Sequence, residues 1–200
     1  VDNLLGSGPF KVTEWVPNDH YTLVRNDNYW GEMPIATSIT CRVIPEGSAR
    51  TIALEAGEID VVWSVDPTDC ANVESNPDVK LLSQPSTGID YVGMNTQKEK
   101  FSDKRVRQAI NYALDKQAFV DTIIEGRGLV ANSYINAAIP GWTDEVEAYP
   151  YDPEKAKELL AEAGYPDGFE CSIFVNGDLR TRSAQILQAQ LADVGIKVDI

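Results

Sequence analysis

IDYVGMNTQKEKFSDKRVRQAINYALD, residues Ile89 to Asp115, is the stretch on which the fold turns. Its first part, Ile89 to Asn95, alternates apolar with small or polar residues as a strand does, and a polar connector follows through Lys100. A helix then begins, with Ser102 or Asp103 as its cap, because a short side-chain oxygen accepts from the free N–H groups of a first turn. Val106, Ala109, Ile110, Ala113 and Leu114 recur at helical spacing and predict one buried stripe, flanked by Arg105 and Arg107. The chain before this stretch reads mostly as strands and turns, and the chain after it mostly as helices. The stretch therefore reads as the crossing between two structural units.

Upstream, Phe10–Val16 and Tyr21–Arg25 predict a hairpin across the turn Pro17 to His20, followed by a loop carrying Tyr29 and Trp30 and a strand over Thr37–Ile44. Glu46–Ala56 predicts a helix with Ala49, Ile52, Ala53 and Ala56 inward and Gly57 as its stop. Ile59–Trp63 and Val79–Ser83 read as short strands on either side of a brief helix opened by Asp66-Pro67. Pro85 to Gly88 is the hinge candidate.

Downstream, Asp115 predicts a cap for a helix to Ile124 with Ala118, Phe119, Thr122 and Ile123 inward, and Gly126 at its exit. Leu129 to Pro150 has no sustained period and reads as a long loop packed down by Tyr134, Ile139 and Trp142. Asp152-Pro153 opens a helix striped with Ala156, Leu159, Leu160 and Ala163. Strand Phe169–Val175, helix Leu179–Val194 and strand Ile196–Ile200 then predict a parallel pair joined by a right-handed crossover.

Composition narrows the function classes. A net charge of −14 over 200 residues disfavours a phosphate-backbone partner, which needs clustered Lys and Arg, so no nucleic acid is expected. No apolar run approaches the roughly 20 residues of a membrane-spanning helix, and the residues at Val1 have no leader-like pattern. Cys41, Cys70 and Cys171 lack paired C-x-x-C spacing and read as buried structural thiols.

The chemical motifs are sparse. His20, the only histidine, sits in a turn beside Asp19 with no G-x-S-x-G elbow to serve, and reads as an exposed structural residue. Gly126 to Ala131 satisfies G-x-G-x-x-A but follows a helix, whereas a dinucleotide fingerprint follows a strand. Glu55 with Glu58, and Asp144 with Glu145, are acidic pairs with nothing in the sequence to make them converge. No catalytic residue, metal site or cofactor is assigned. Trp63, at the end of a predicted strand, and Tyr91, in the crossing strand, lie where ligands bind beside an interlobe crevice. Core packing explains each of them equally well.

Seven stretches in order, GSGPFKVTEWVPND, NDNYWG, SARTIALEAGEIDVV, YVGMNT, FSDKRVRQAINYALDK, YDPEKAKELLAEAGYPDGF and QAQLADVGIKVDI, give the chain a close resemblance to the family 5 extracytoplasmic solute-binding proteins, the peptide and nickel receptors of ABC importers. The resemblance implies an α/β fragment of a two-lobed periplasmic-binding-protein-like fold, with mixed sheets flanked by helices. It places residues 1–88 in the first lobe and 89–200 in the second. Family members are longer, so Val1 is expected to enter midway through the first lobe and Ile200 to leave before the second is complete. In peptide-binding members the missing C-terminal part holds the acidic residue that grips a peptide's amino group.

By the same resemblance, Trp63, Ser64 and Val65, with Ser86, Thr87, Gly88, Asp90 and Tyr91, line the ligand crevice. The lobes close over an extended ligand held by backbone hydrogen bonds, and the closed form is recognised by the membrane permease. The expected protein is a non-enzymatic receptor for oligopeptides or a related small solute. Its place is outside the cytoplasm, periplasmic or at the cell surface as a lipoprotein. A hydrolase using an acidic pair in the crevice, or a sensor or chaperone on the same scaffold, are the alternatives.

Overall fold

Five strands and seven helices follow one another through residues 5–200, which the computed structural model describes; Val1 to Leu4, with the start of the chain, lie outside the described residues. The chain divides into two compact units, one ending at Leu81 and the other running Leu82–Ile200.

In the first unit β1 (Phe10–Val16), β2 (His20–Arg25) and β3 (Ser38–Arg42) form an antiparallel sheet in that order. Cross-strand pairing sets Trp15, Tyr21 and Cys41 in one row, and Val12, Leu23 and Ile39 in the next. Since side chains alternate along a strand, both rows share one apolar face. Asn26, buried just past β2, holds the Gly8–Pro9 bend against it: its Nδ2 donates to Gly8 O at 3.2 Å and its N–H to Pro9 O at 2.8 Å.

Helix α1 (Gly47–Glu55) is capped by Glu46, whose carboxylate accepts from the N–H groups of Ser48 and Ala49. A 3-10 turn, Pro67–Asp69, continues into α2 (Cys70–Ser75), and Asp66 caps the turn by accepting from Thr68 N. The buried positions here are Thr51, Ala53, Cys70 and Val73, while Ile52, expected on the inner face, is 63% exposed.

The second unit holds the apolar core. After the single turn α3 (Glu99–Ser102), Asp103 caps α4 (Lys104–Ala113), accepting from Arg105 N. The Arg105 side chain returns to the Asp103 carboxylate at 2.7 Å, which holds that carboxyl below its ordinary range, and also donates to Glu162 O at 2.6 Å. One guanidinium thus pins the start of α4 to the end of α6 (Pro153–Glu162). Asp115 caps α5 (Lys116–Ile123) and Asp152 caps α6.

The stripe Val106, Ala109, Ile110 and Ala113 packs with Ala156, Leu159 and Leu160 of α6, with Leu187 and Leu191 of α7 (Asp178–Ala192), and with Ile196 and Val198. Three alanines at that contact let α4 and α6 approach closely. Strands β4 (Phe169–Ser172) and β5 (Ile196–Asp199) pair in parallel, with Phe169 opposite Ile196. The two begin backbone to backbone, at Gly168 with φ +76° and Gly195 with φ +87°.

Several expectations are corrected. Ile59–Trp63, Val79–Ser83 and Ile89–Asn95 form no strand, because a strand exists only with a hydrogen-bonded neighbour and none pairs with them among the described residues. In α5 Val120 and Ile123 are buried and Thr122 faces out, a one-step rotation of the expected face. The 129–150 loop has no regular structure, and Tyr134, expected to pack it down, is 74% exposed. His20 begins β2 instead of lying in the turn. Cys70 is buried, Cys41 and Cys171 are half-buried, and burial pushes the Cys171 thiol up.

His20 has a measurable consequence. Its Nδ1 lies 2.6 Å from Asp19 Oδ2 and its Nε2 3.3 Å from Glu14 Oε2, and hydrogen bonds to both carboxylates raise its pKa above the ordinary 6.5. Arg42, its register partner on β3, is engaged with Glu58 at 3.8 Å. A raised folded pKa means the folded state holds the proton more tightly, so this contribution is complete below pH 6.5 and fades as pH rises through the folded value. The difference in urea midpoint between wild type and His20→Gln should shrink steadily on titration from mildly acidic to mildly alkaline pH. A pH-independent difference would refute the assignment.

Candidate functional site

The expected ligand residues fall into two groups, one in each unit. In the first unit Trp63, Ser64 and Val65 make the turn between α1 and the Pro67–Asp69 helix. Trp63 is 91% exposed and Val65 half-buried. Ser64 takes φ +67°, a left-handed conformation that disfavours a residue with a Cβ. Its carbonyl accepts from Arg50 Nη2 at 3.2 Å.

In the second unit Ser86, Thr87 and Gly88 form an exposed bend closed by Gly88 N donating to Ser86 Oγ at 2.7 Å. Asp90 and Tyr91 follow, Tyr91 being 66% exposed. Three residues absent from the sequence-based set join them. The Tyr134 ring sits 5.2 Å from that of Tyr91, Asn136 Nδ2 donates to Gly88 O at 3.3 Å, and Arg180 Nη2 lies 3.4 Å from Asp90 Oδ1.

These partners stand 48 and 90 residues from the groups they meet in the last two cases, so no local pattern could reveal them. The one available signal was the length of the loop that carries Tyr134 and Asn136. Among the described residues, 89–94 make no backbone-to-backbone hydrogen bond. Tyr134, Asn136 and Arg180 thus bring a second phenol ring, a carboxamide and a guanidinium to residues 88–91.

Two hollows lie in the same unit. One, of about 570 Å³, sits at the carboxyl ends of β4 and β5 and is lined by Ser172 to Val175, Thr181, Asp199 and Ile200. The other, about 330 Å³, lies where α4 and α5 meet the 129–151 segment. There Lys116 donates to Asn111 O and Tyr149 O, both at 3.0 Å, and burial pushes its ammonium below the usual range despite the nearby Asp115 carboxylate. Among the described residues no three His, Cys, Asp or Glu side chains gather as a metal site, and no helix is long and apolar enough to cross a membrane.

The whole chain, residues 1–200, matches the family described as bacterial extracellular solute-binding proteins, family 5 Middle. The chain belongs to that family. Family 5 relatives include the heme-binding protein A of Haemophilus influenzae, 35% identical over 98% of this chain, and the dipeptide-binding protein of Escherichia coli, 32% identical over 99% of it. The chain spans 37% and 38% of those two proteins' lengths.

A solved structure, the ABC transporter-associated periplasmic binding protein DppA from Helicobacter pylori in complex with peptide STSA, superposes with a TM-score of 0.88 at 32% identity. That match covers 98% of this chain and 38% of the solved one. The chain is therefore α/β and has the fold of the matching 38% of that periplasmic binding protein. Family 5 proteins bind solutes and are not enzymes, and the relatives named here are all binding proteins.

Proposed function

We propose that the intact protein is the substrate-binding component of an ABC importer, capturing oligopeptides outside the cytoplasm and delivering them to a membrane permease. The observation that carries this reading is the match of the whole chain to the family 5 solute-binding proteins, with Tyr91, Tyr134, Asn136 and Arg180 gathered at the exposed 86–91 segment as candidate contacts. An extended peptide supplies the complementary donors and acceptors, as an added strand does, while rings and polar side chains receive its side groups. Arg180, exposed and paired only loosely with Asp90, can exchange that partner for a peptide carboxylate.

Trp63, Ser64 and Val65 form a second contact group in the first unit on this reading. The dipeptide-binding relative and the STSA complex favour peptides, and heme is the competing ligand. The protein would work in the periplasm, or at the cell surface as a lipoprotein.

A thermal-shift panel of short peptides, heme, sugars and metal chelates tests the proposal. A peptide at one hundred times its Kd should stabilise the protein by about 2.7 kcal/mol. Tyr91→Ala and Arg180→Ala should each lower that peptide's affinity by roughly tenfold, the effect of losing one good contact. A flat response across the panel, or stabilisation by heme alone, would defeat it.

A further inference from the structure

We propose that Arg50 is a positioning residue that holds the Trp63–Val65 turn in its ligand-ready shape. The inference rests on the reading that this turn touches solute, and adds what keeps it in place.

Arg50, in the middle of α1, spends its guanidinium on main-chain oxygens. Nη1 donates to Ile44 O at 2.9 Å and Pro45 O at 3.0 Å, and Nη2 to Ser64 O at 3.2 Å. It thus ties the segment entering α1 to the turn that follows it. The fork geometry matters, because a lysine ammonium cannot span three carbonyls set on two strands of chain.

The rest of α1's first turns grips the same region. Ser48 Oγ and Thr51 Oγ1 donate to the Asp69 carboxylate at 3.2 and 3.4 Å, and a Cβ on Gly47 would stand 3.1 Å from Asp66 Cβ. Between these anchors Ser64 is left at φ +67° and Trp63 projects almost wholly exposed. A serine does not hold that backbone by preference, so its carbonyl bond to Arg50 offsets the conformational cost. The arrangement presents a bare indole on a fixed stem, the opposite of a loose loop.

The test uses the intact protein with Arg50→Gln, Arg50→Lys, Ser64→Gly and the double variant Arg50→Gln/Ser64→Gly. Without any ligand, the backbone 15N order parameters of residues 62–66 should fall from rigid values of about 0.85 to below about 0.6 in Arg50→Gln, while those of α4 keep their wild-type values. Arg50→Lys should behave like Arg50→Gln. With the tetrapeptide Ser-Thr-Ser-Ala as probe, Arg50→Gln should bind more weakly. Ser64→Gly in that background should recover roughly five- to tenfold in affinity, since glycine adopts the left-handed conformation freely.

A purely structural role for Arg50 would not be rescued by Ser64→Gly. Wild-type order parameters at 62–66 in Arg50→Gln overturn the positioning role. Lowered order parameters with Ser-Thr-Ser-Ala affinity unchanged from wild type instead remove the turn from the ligand site while leaving the clamp standing.

Discussion

Alanine at Gly168 should cost the second unit roughly 3–5 kcal/mol, beyond the strain of a left-handed backbone alone. A Cβ there would fall 1.9 Å from Gly195 O and 2.8 Å from Gly195 Cα, where the obstacle is main chain and cannot rotate away. Gly195 would have to move, and it directly precedes Ile196, which is fully buried and opposite Phe169 in the first β4–β5 pair. The damage therefore travels from a turn into the core. Gly57→Ala supplies the control, because Gly57 has a similar φ of +70° with nothing within 4 Å of its virtual Cβ. That variant should lose only about 1–2 kcal/mol. Urea unfolding of both variants checks the comparison, and equal losses would show that the close approach of the two glycines is unimportant.

Leu160→Ala is the second large effect. Leu160 is 1% exposed and belongs to the core where α4 and α6 pack, together with Ala109, Ala113 and Ala156 as well as Val106 and Ile110. The alanines have no side chain to swing into the space and the larger neighbours relax only in part, so a loss of about 2–5 kcal/mol is expected. Leu160→Met, which keeps the volume, should cost under about 1.5 kcal/mol. Denaturant midpoints of the two variants, at unchanged m-value, provide the measurement. A Leu160→Ala protein as stable as Leu160→Met would mean that α4 and α6 are not locked together by this side chain.

The helices were legible because their signals are local. Asp66, Asp103, Asp115 and Asp152 each cap the element expected, and the stripes of α4, α6 and α7 are buried as their spacing indicates. Hairpin β1–β2 and the parallel pair β4–β5 were legible because each finds its partner within the chain. Ile59–Trp63 and Ile89–Asn95 carry equally strand-like patterns yet pair with nothing among the described residues, since alternation records a preference and not a neighbour. Faces misread by one position, as at Ile52 and Thr122, reflect short helices whose apolar residues surround more than one side.

For the candidate site the same division holds. The resemblance to the family proposes Tyr91 and the Ser86–Gly88 bend as contacts, whereas Arg180 reaches Asp90 from the start of α7 only once the chain has folded. Arg50 was hidden for a related reason. Its pattern is that of an ordinary helix surface, and its three acceptors are main-chain oxygens that any residue could supply.

The uneven placing of the core has a last consequence. Leu160, Ile196, Val106 and their neighbours make one continuous interior in the second unit, while among the described residues of the first Asn26, Thr51, Ala53, Cys70 and Val73 are buried and Trp15, Tyr21 and Ile39 stay partly exposed on its sheet. In a polypeptide of these 200 residues alone, warming should then loosen the β1–β3 sheet well before α4, α6 and α7 give way, so that no single melting point describes it.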